Sequence, residues 1–251
     1  EGCHGAQLEN TIEGCLGKNN SAVSGDIYLL GDSHAAQITF ALRQVAMRRS
    51  VGFNFFINTG SVDDFPYSFF TKKVTKDKIL NHLLNVMSEG DYLLVTFHRG
   101  RLNPKRDSHF SPEYLKSRSQ RSDLFSSNML HYFKRFEEKN IKILLVKDGP
   151  LLSDADTSIE RCMYEFLQTN KKSCLISFEH DDNTRFLQSQ SFDYLAEKFE
   201  FVSSIDYLPR LYTDGYFSPI SDDGEYLMFD RNHLTEKASL SLAPFFEEQL
   251  N

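Results

Sequence analysis

The chain has 251 residues, 40% hydrophobic and 25% charged, with 35 acidic against 28 basic side chains and a net charge of −7. That length supports a sizeable core, and the acidic balance argues against a nucleic-acid partner, whose phosphates require a basic face. No apolar run reaches the ~18–20 residues of a membrane span, and the opening EGCHGAQ lacks the charged-then-apolar pattern of a secretory signal; the reading is a mature protein or a soluble piece of a longer one.

In chain order, Cys3, Cys15 and the polar stretch GKNNSAVSG precede a buried strand, Ile27 to Gly31. That strand runs through Asp32-Ser33-His34 into a helix expected to reach Arg49, with Ile38, Ala41, Leu42 and Val45 on one face. Val51 to Asn58 reads as a second strand, followed by a loop punctuated by Gly60. A helix over about Lys72–Ser88 carries Ile79, Leu80, Leu83, Leu84 and Met87 at helical spacing, and Asp91 to Phe97 is a third, apolar strand. The basic loop His98–Ser111 fits an anionic glycan or partner, or an ordinary solvated loop. Ser111-Pro112-Glu113 then starts a helix toward Asn140.

Ile141 to Lys147 is the fourth strand, ending in Asp148-Gly149-Pro150. A helix containing Cys162, a helix over Thr184–Phe199 and a fifth strand in FEFVSSID follow. Residues 207–229 read as a hairpin insertion turning at Asp222–Gly224, with too few spaced oxygens for a calcium loop. Strand and helix alternate from Asp26 to Asp206, which implies a mostly parallel sheet with helices on both faces, in one domain over residues 1–251. Sites in such sheets form at the carboxyl ends of the strands, which gathers Ser33, Asn58–Ser61, His98-Arg99 and Asp148–Pro150 at one crevice.

Cys3 with Cys15 and Cys162 with Cys174 form two close pairs without the two-residue spacing of a metal or redox site. Two local disulfides, the first tying residues 1–25, would suit an oxidising compartment and contribute roughly 2–4 kcal/mol each; four unpaired thiols are the alternative. Ser33 is either a helix cap in a turn or a nucleophile. As a nucleophile it needs a base, and the base needs an orienting group. Asp230, three residues before His233 and just ahead of a final helix capped by Thr235, offers both; the alternative is an Asx turn beside a surface histidine.

GDSHA (Gly31–Ala35), DRNHLT (Asp230–Thr235), DGPLLSDADTSIERC (Asp148–Cys162) and the short Cys…Cys segment ahead of them resemble the SGNH (GDSL-type) hydrolase superfamily. The likeness is closer to the SGNH domains fused to, or partnered with, membrane acyltransferase-3 proteins that O-acetylate bacterial glycans. It implies a three-layer α/β/α, flavodoxin-like fold with a mostly parallel five-stranded sheet. Ser33 would be the nucleophile, His233 the general base and Asp230 the group that fixes the imidazole. Gly31 and Asp32 would shape the turn, and His34 would pack or bond locally.

The oxyanion hole would use the Ser33 backbone N–H at a helix start and that of Gly60. The superfamily's third donor, an Asn after the third strand, is missing: the strand ends in VTFHRGRLN, Asn103 lies too far along, and His98 or Arg99 is nearest.

The implied activity is serine-dependent acetyl transfer, through an acyl-enzyme on Ser33, to a sugar of a surface polysaccharide, lipopolysaccharide or peptidoglycan. A membrane acyltransferase-3 domain in the same or a partner chain would supply the acetyl group on the periplasmic or extracytoplasmic side, this chain being the soluble part of a membrane-anchored protein. No organic cofactor or metal is needed. A carbohydrate O-acetyl esterase and a non-catalytic glycan-binding domain are the alternatives.

Overall fold

A computed structural model describes residues 25–58, 65–66, 69, 77–102, 118–152 and 158–251. The strands are β1 (Ile27–Gly31), β2 (Phe53–Ile57), β3 (Tyr92–Thr96), β4 (Lys142–Val146), β5 (Ile176–Ser177), β6 (Val202–Ile205) and β7 (Tyr216–Phe217) among the described residues. Five of them form one parallel sheet in the order β2-β1-β3-β4-β6, the doubly wound arrangement expected from the sequence. In register, Gly31 stands beside Ile57 and Thr96, and Val95 beside Leu145, so the strands end together and deliver their following residues to one edge.

These strands form where they do because their side chains alternate between two apolar layers. Tyr28, Leu30, Phe56, Leu93, Val95, Ile143 and Leu145 face one cluster. It is completed by helices numbered here with the others: α1 (Ser33–Ala36), α2 (Thr39–Arg49), α3 (Lys78–Val86), α4 (Arg118–Glu137), α5 (Ile159–Thr169), α6 (Phe178–Thr184), α7 (Phe186–Lys198), α8 (Leu208–Leu211), α9 (Glu236–Ser241) and α10 (Ala243–Gln249). Leu83 of α3, Phe125 and Phe133 of α4 and Phe192 of α7 pack on that face. Ile27, Leu29, Leu94, Leu144 and Val146 face the other, against Leu42 of α2, Ala238 of α9 and Phe246 of α10. Each fully buried Leu or Phe contributes roughly 1.5–3 kcal/mol.

One expected helix is broken, at a polar residue drawn elsewhere. The helix from His34 to Arg49 stops after Ala36 and restarts at Thr39, because buried Gln37 accepts the Leu234 N–H at 3.0 Å and donates to the Tyr207 hydroxyl at 3.3 Å. The helix expected over Thr184–Phe199 is α7; a further short helix, α6, precedes it, and the two meet at Arg185, whose fully buried guanidinium is held by Asp206 at 2.5 and 2.7 Å. The sequence FEHDDNT of α6 lacks an apolar stripe; Ser177, whose hydroxyl accepts the His180 N–H, starts it.

Helix α3 starts later than expected, capped by Asp77, whose carboxylate accepts the Leu80 N–H at 2.8 Å. The start expected at Ser111-Pro112-Glu113 lies outside the described residues, as do Cys3, Cys15 and most of the 1–25 extension. Cys162 in α5 is bonded to Cys174 ahead of β5. Across 207–229 the chain forms α8, then β7 paired antiparallel with β5, then a tight turn in which the Ser221 N–H bonds to Glu225 and the Gly224 N–H to Ser221. Among the described residues no helix is long and apolar enough to cross a membrane.

Candidate active site

The turn after β1 is built on contacts that leave no room for change. A Cβ on Gly31 would lie 1.9 Å from the Thr96 carbonyl oxygen and 2.6 Å from the Ala35 Cβ, so only glycine lets β1 and β3 approach there. The buried Asp32 carboxylate accepts the His34 N–H at 3.0 Å, the His98 N–H at 3.1 and 3.2 Å and the Arg101 Nε–H at 3.1 Å. It thereby fastens α1 to the segment after β3. Ser33, the first residue of α1, is presented at the sheet edge.

About 200 residues on, a short loop brings the complementary groups. The Met228–Leu234 bridge and the Phe229 N–H to His233 carbonyl bond of 2.8 Å close the loop. Arg231 and Leu152 pin it to the segment after β4, the Leu152 N–H donating to the Arg231 carbonyl at 2.9 Å. Asp230 accepts the N–H groups of Asn232 and His233, each at 2.9 Å, and its carboxylate lies 2.8 Å from His233 Nδ1. Burial pushes this carboxyl up, but those N–H groups and the imidazole outweigh it and hold it below its usual range. An ionised acceptor at Nδ1 leaves the lone pair on Nε2, which stands 2.9 Å from Ser33 Oγ. The geometry therefore joins Ser33, His233 and Asp230 in one hydrogen-bonded line.

The cleft in front of Ser33 and His233 is also lined by His34, His98, Arg101 and Asn232. His34 packs against the rings of His98 and His233 and bonds through its N–H to Asp32, as expected, but its buried ring also reaches across to Asp148, Nδ1 to Oδ1 at 2.6 Å, because that carboxylate follows β4 at the same edge. Its Nε2 lies 3.2 Å from Asn232 Nδ2. Burial pushes the Asp148 carboxyl up, yet His34 and Arg99 hold it well below the usual carboxylate range.

Arg99 is not an oxyanion donor. Its side chain is 4% exposed and turned inward, with Nε on Asp148 at 3.1 Å, Nη1 on Asp181 at 2.8 Å and Nη2 on the Gly149 carbonyl. Two buried carboxylates draw the guanidinium away from the cleft. His98 does line the cleft. Its backbone N–H goes to Asp32, and its Nδ1 accepts the Gly100 N–H at 3.1 Å, which puts a ring proton on Nε2. Gly60 and Asn103 lie outside the described residues.

Sequence reasoning brought Asp148 to this crevice but missed its pairing with His34, and it overlooked Asn232. Asp148 ended an apolar strand, where an aspartate is out of place unless paired, and Asn232 sat between the two residues already singled out. Among the described residues no group of three His, Cys, Asp or Glu side chains is placed to hold a metal ion.

A family model described as "SGNH domain (fused to AT3 domains)" matches residues 2–248. Among solved structures, the periplasmic domain of the lipopolysaccharide acetyltransferase of Salmonella ser. Paratyphi A is similar with a TM-score of 0.67 at 15% identity, over 99% of this chain and 90% of that one. A GDSL-like lipase from Bacteroides thetaiotaomicron gives a TM-score of 0.53 at 9% identity, over 97% and 96% of the two chains. A catalytic mutant of an acetylxylan esterase from Geobacillus stearothermophilus gives 0.52 at 11% identity, over 92% and 97%. At such identities the likeness is one of fold. Comparison with curated proteins gave no match.

Proposed function

From the premise that the chain belongs to the family of SGNH domains fused to AT3 domains, we propose that it is a serine O-acetyltransferase acting on a cell-surface glycan. The observation that carries the reading is the line from Ser33 Oγ through His233 Nε2, at 2.9 Å, to Asp230 at 2.8 Å. His233 takes the Ser33 proton as Oγ attacks the acetyl carbonyl, and returns it to the departing oxygen, leaving an acetyl ester on Ser33. A sugar hydroxyl then gives its proton to His233 and attacks that ester, and the proton returns to Ser33 as the acetylated sugar leaves. The tetrahedral oxygen is met by the Ser33 backbone N–H and the Nε2–H of His98, each such donor being worth roughly 10²–10³ in rate.

A small acyl group and a polyhydroxylated acceptor suit the cleft, whose lining among the described residues carries imidazole, guanidinium and amide groups but no aliphatic side chain. The acetyl group arrives from an AT3 domain in the same or a partner chain, on the periplasmic side, and no cofactor or metal takes part. The site's openness to water, with the Asp230 side chain 44% exposed, favours a second reading as a carbohydrate O-acetyl esterase. Incubation with p-nitrophenyl acetate and bacterial surface glycans, following acetate and acetylated sugar together, separates the two. Acetylated glycan formed by wild type and lost in Ser33→Ala is the expected result. Acetate release with every glycan unmodified would replace the transferase by the esterase.

A further inference from the structure

Behind the line Ser33–His233–Asp230 lies a second imidazole–carboxylate pair that the proposed chemistry does not use. His34 Nδ1 is 2.6 Å from Asp148 Oδ1, and both side chains are at most 3% exposed. Asp148 is ionised, so Nδ1 carries the proton and donates it; the His34 Nε2 lone pair then accepts from Asn232 Nδ2 at 3.2 Å. Asn232 in turn donates its backbone N–H to Asp230 at 2.9 Å and precedes His233 directly. The ring of His34 is 4.7 Å from that of His233, centroid to centroid. On the assumption that Ser33 is the nucleophile, we propose that His34 is a positioning residue that seats the Asp230–His233 turn over Ser33 through Asn232, and that it does so only while its Nε2 is unprotonated.

The condition follows from the hydrogen bond itself. A proton on Nε2 faces the Asn232 N–H instead of a lone pair, so the amide must turn over or leave, and a positive ring then stands beside the imidazole that acts as base. The groups that face His34 come from four segments. Asp32 follows β1, Asp148 follows β4, His98, Arg99 and Arg101 follow β3, and His233 with Asp230 comes from the C-terminal loop. Burial pushes the His34 imidazole down, but the Asp148 charge, its hydrogen bond and the Asp32 charge outweigh burial and Arg99, so the ring gains its proton above its ordinary 6.5. Two imidazoles must then both be neutral for turnover, and the acid side of the pH–rate profile is second order in protons.

The test is kcat and KM for p-nitrophenyl acetate between pH 5 and 9, for wild type and His34→Gln. Wild type should lose about a hundredfold in kcat/KM per pH unit at the acid end, and His34→Gln about tenfold. At the alkaline plateau His34→Gln should lose roughly tenfold in kcat with KM little changed. Equal acid slopes, or an unchanged plateau, would overturn the proposal. A histidine ring and Asn side-chain amide titration of wild type by NMR reads the same coupling without turnover or a variant. His34 Nε2 should gain a proton and the Asn232 amide should move with the same midpoint; an Asn232 amide that ignores the His34 titration overturns the inference. Loss of fluorophosphonate labelling at Ser33 in wild type would instead sink the acetyltransferase reading, so the two failures are distinguishable.

Discussion

At the scale of single residues the account turns on which donors and acceptors are already committed. Ser33→Ala and His233→Ala should each lower turnover by ~10⁴–10⁶ while leaving the folded state intact, as measured by steady-state kinetics beside circular dichroism. Gly31→Ala should behave in the opposite way. A methyl 1.9 Å from the Thr96 carbonyl oxygen forces β1 and β3 apart, so a loss of more than about 3 kcal/mol is expected in urea unfolding, along with activity. Ser33, Asp230 and His233 were legible in the sequence as candidates whose spacing left a structural alternative for each; their roles came from the resemblance of GDSHA and DRNHLT to the SGNH superfamily. The pair His34–Asp148 was not, since its members are 114 residues apart. Nor was the direction of Arg99: an arginine at a strand end can face the crevice or the core, and only the joint burial of Asp148 and Asp181 decides it.

At the scale of elements, apolar runs placed the three inner strands β1, β3 and β4, since a parallel sheet buried on both faces leaves a near-continuous hydrophobic signature, whereas the edge strands β2 and β6 carry a weaker, interrupted one. The helix break at Gln37 and the junction of α6 with α7 at Arg185 had no such signature, because both side chains bond to residues far along the chain, Leu234 and Asp206. The Cys162–Cys174 bond ties α5 to the strand β5, which pairs with β7. Replacing both cysteines by alanine should cost roughly 2–3 kcal/mol, read from urea midpoints under oxidising conditions, with the kcat of the remaining folded enzyme nearly unchanged. An equal midpoint would show that the α5–β5 segment is held by packing alone.

At the scale of the whole molecule, the buried pair His34 and Asp148 couples stability to pH. His34 is raised above its ordinary 6.5, so its contribution is fully present below about pH 6.5 and is lost as pH rises through the folded value. Asp148 is held below its ordinary 3.8, so its contribution is present above that value and is lost as pH falls through the folded one. Between about pH 4 and 6.5 both act together. The stability gap between wild type and His34→Gln, from urea unfolding, should therefore be widest in that window and shrink toward pH 9; a gap independent of pH would contradict the assignment.

The central claim, that Ser33 is the nucleophile, is met most directly by a fluorophosphonate probe followed by intact-mass and peptide mapping. The account predicts a single adduct on the peptide carrying Ser33, absent from Ser33→Ala and slowed in His233→Ala. A folded wild-type protein that stays unlabelled, or an adduct that persists in Ser33→Ala, would contradict it.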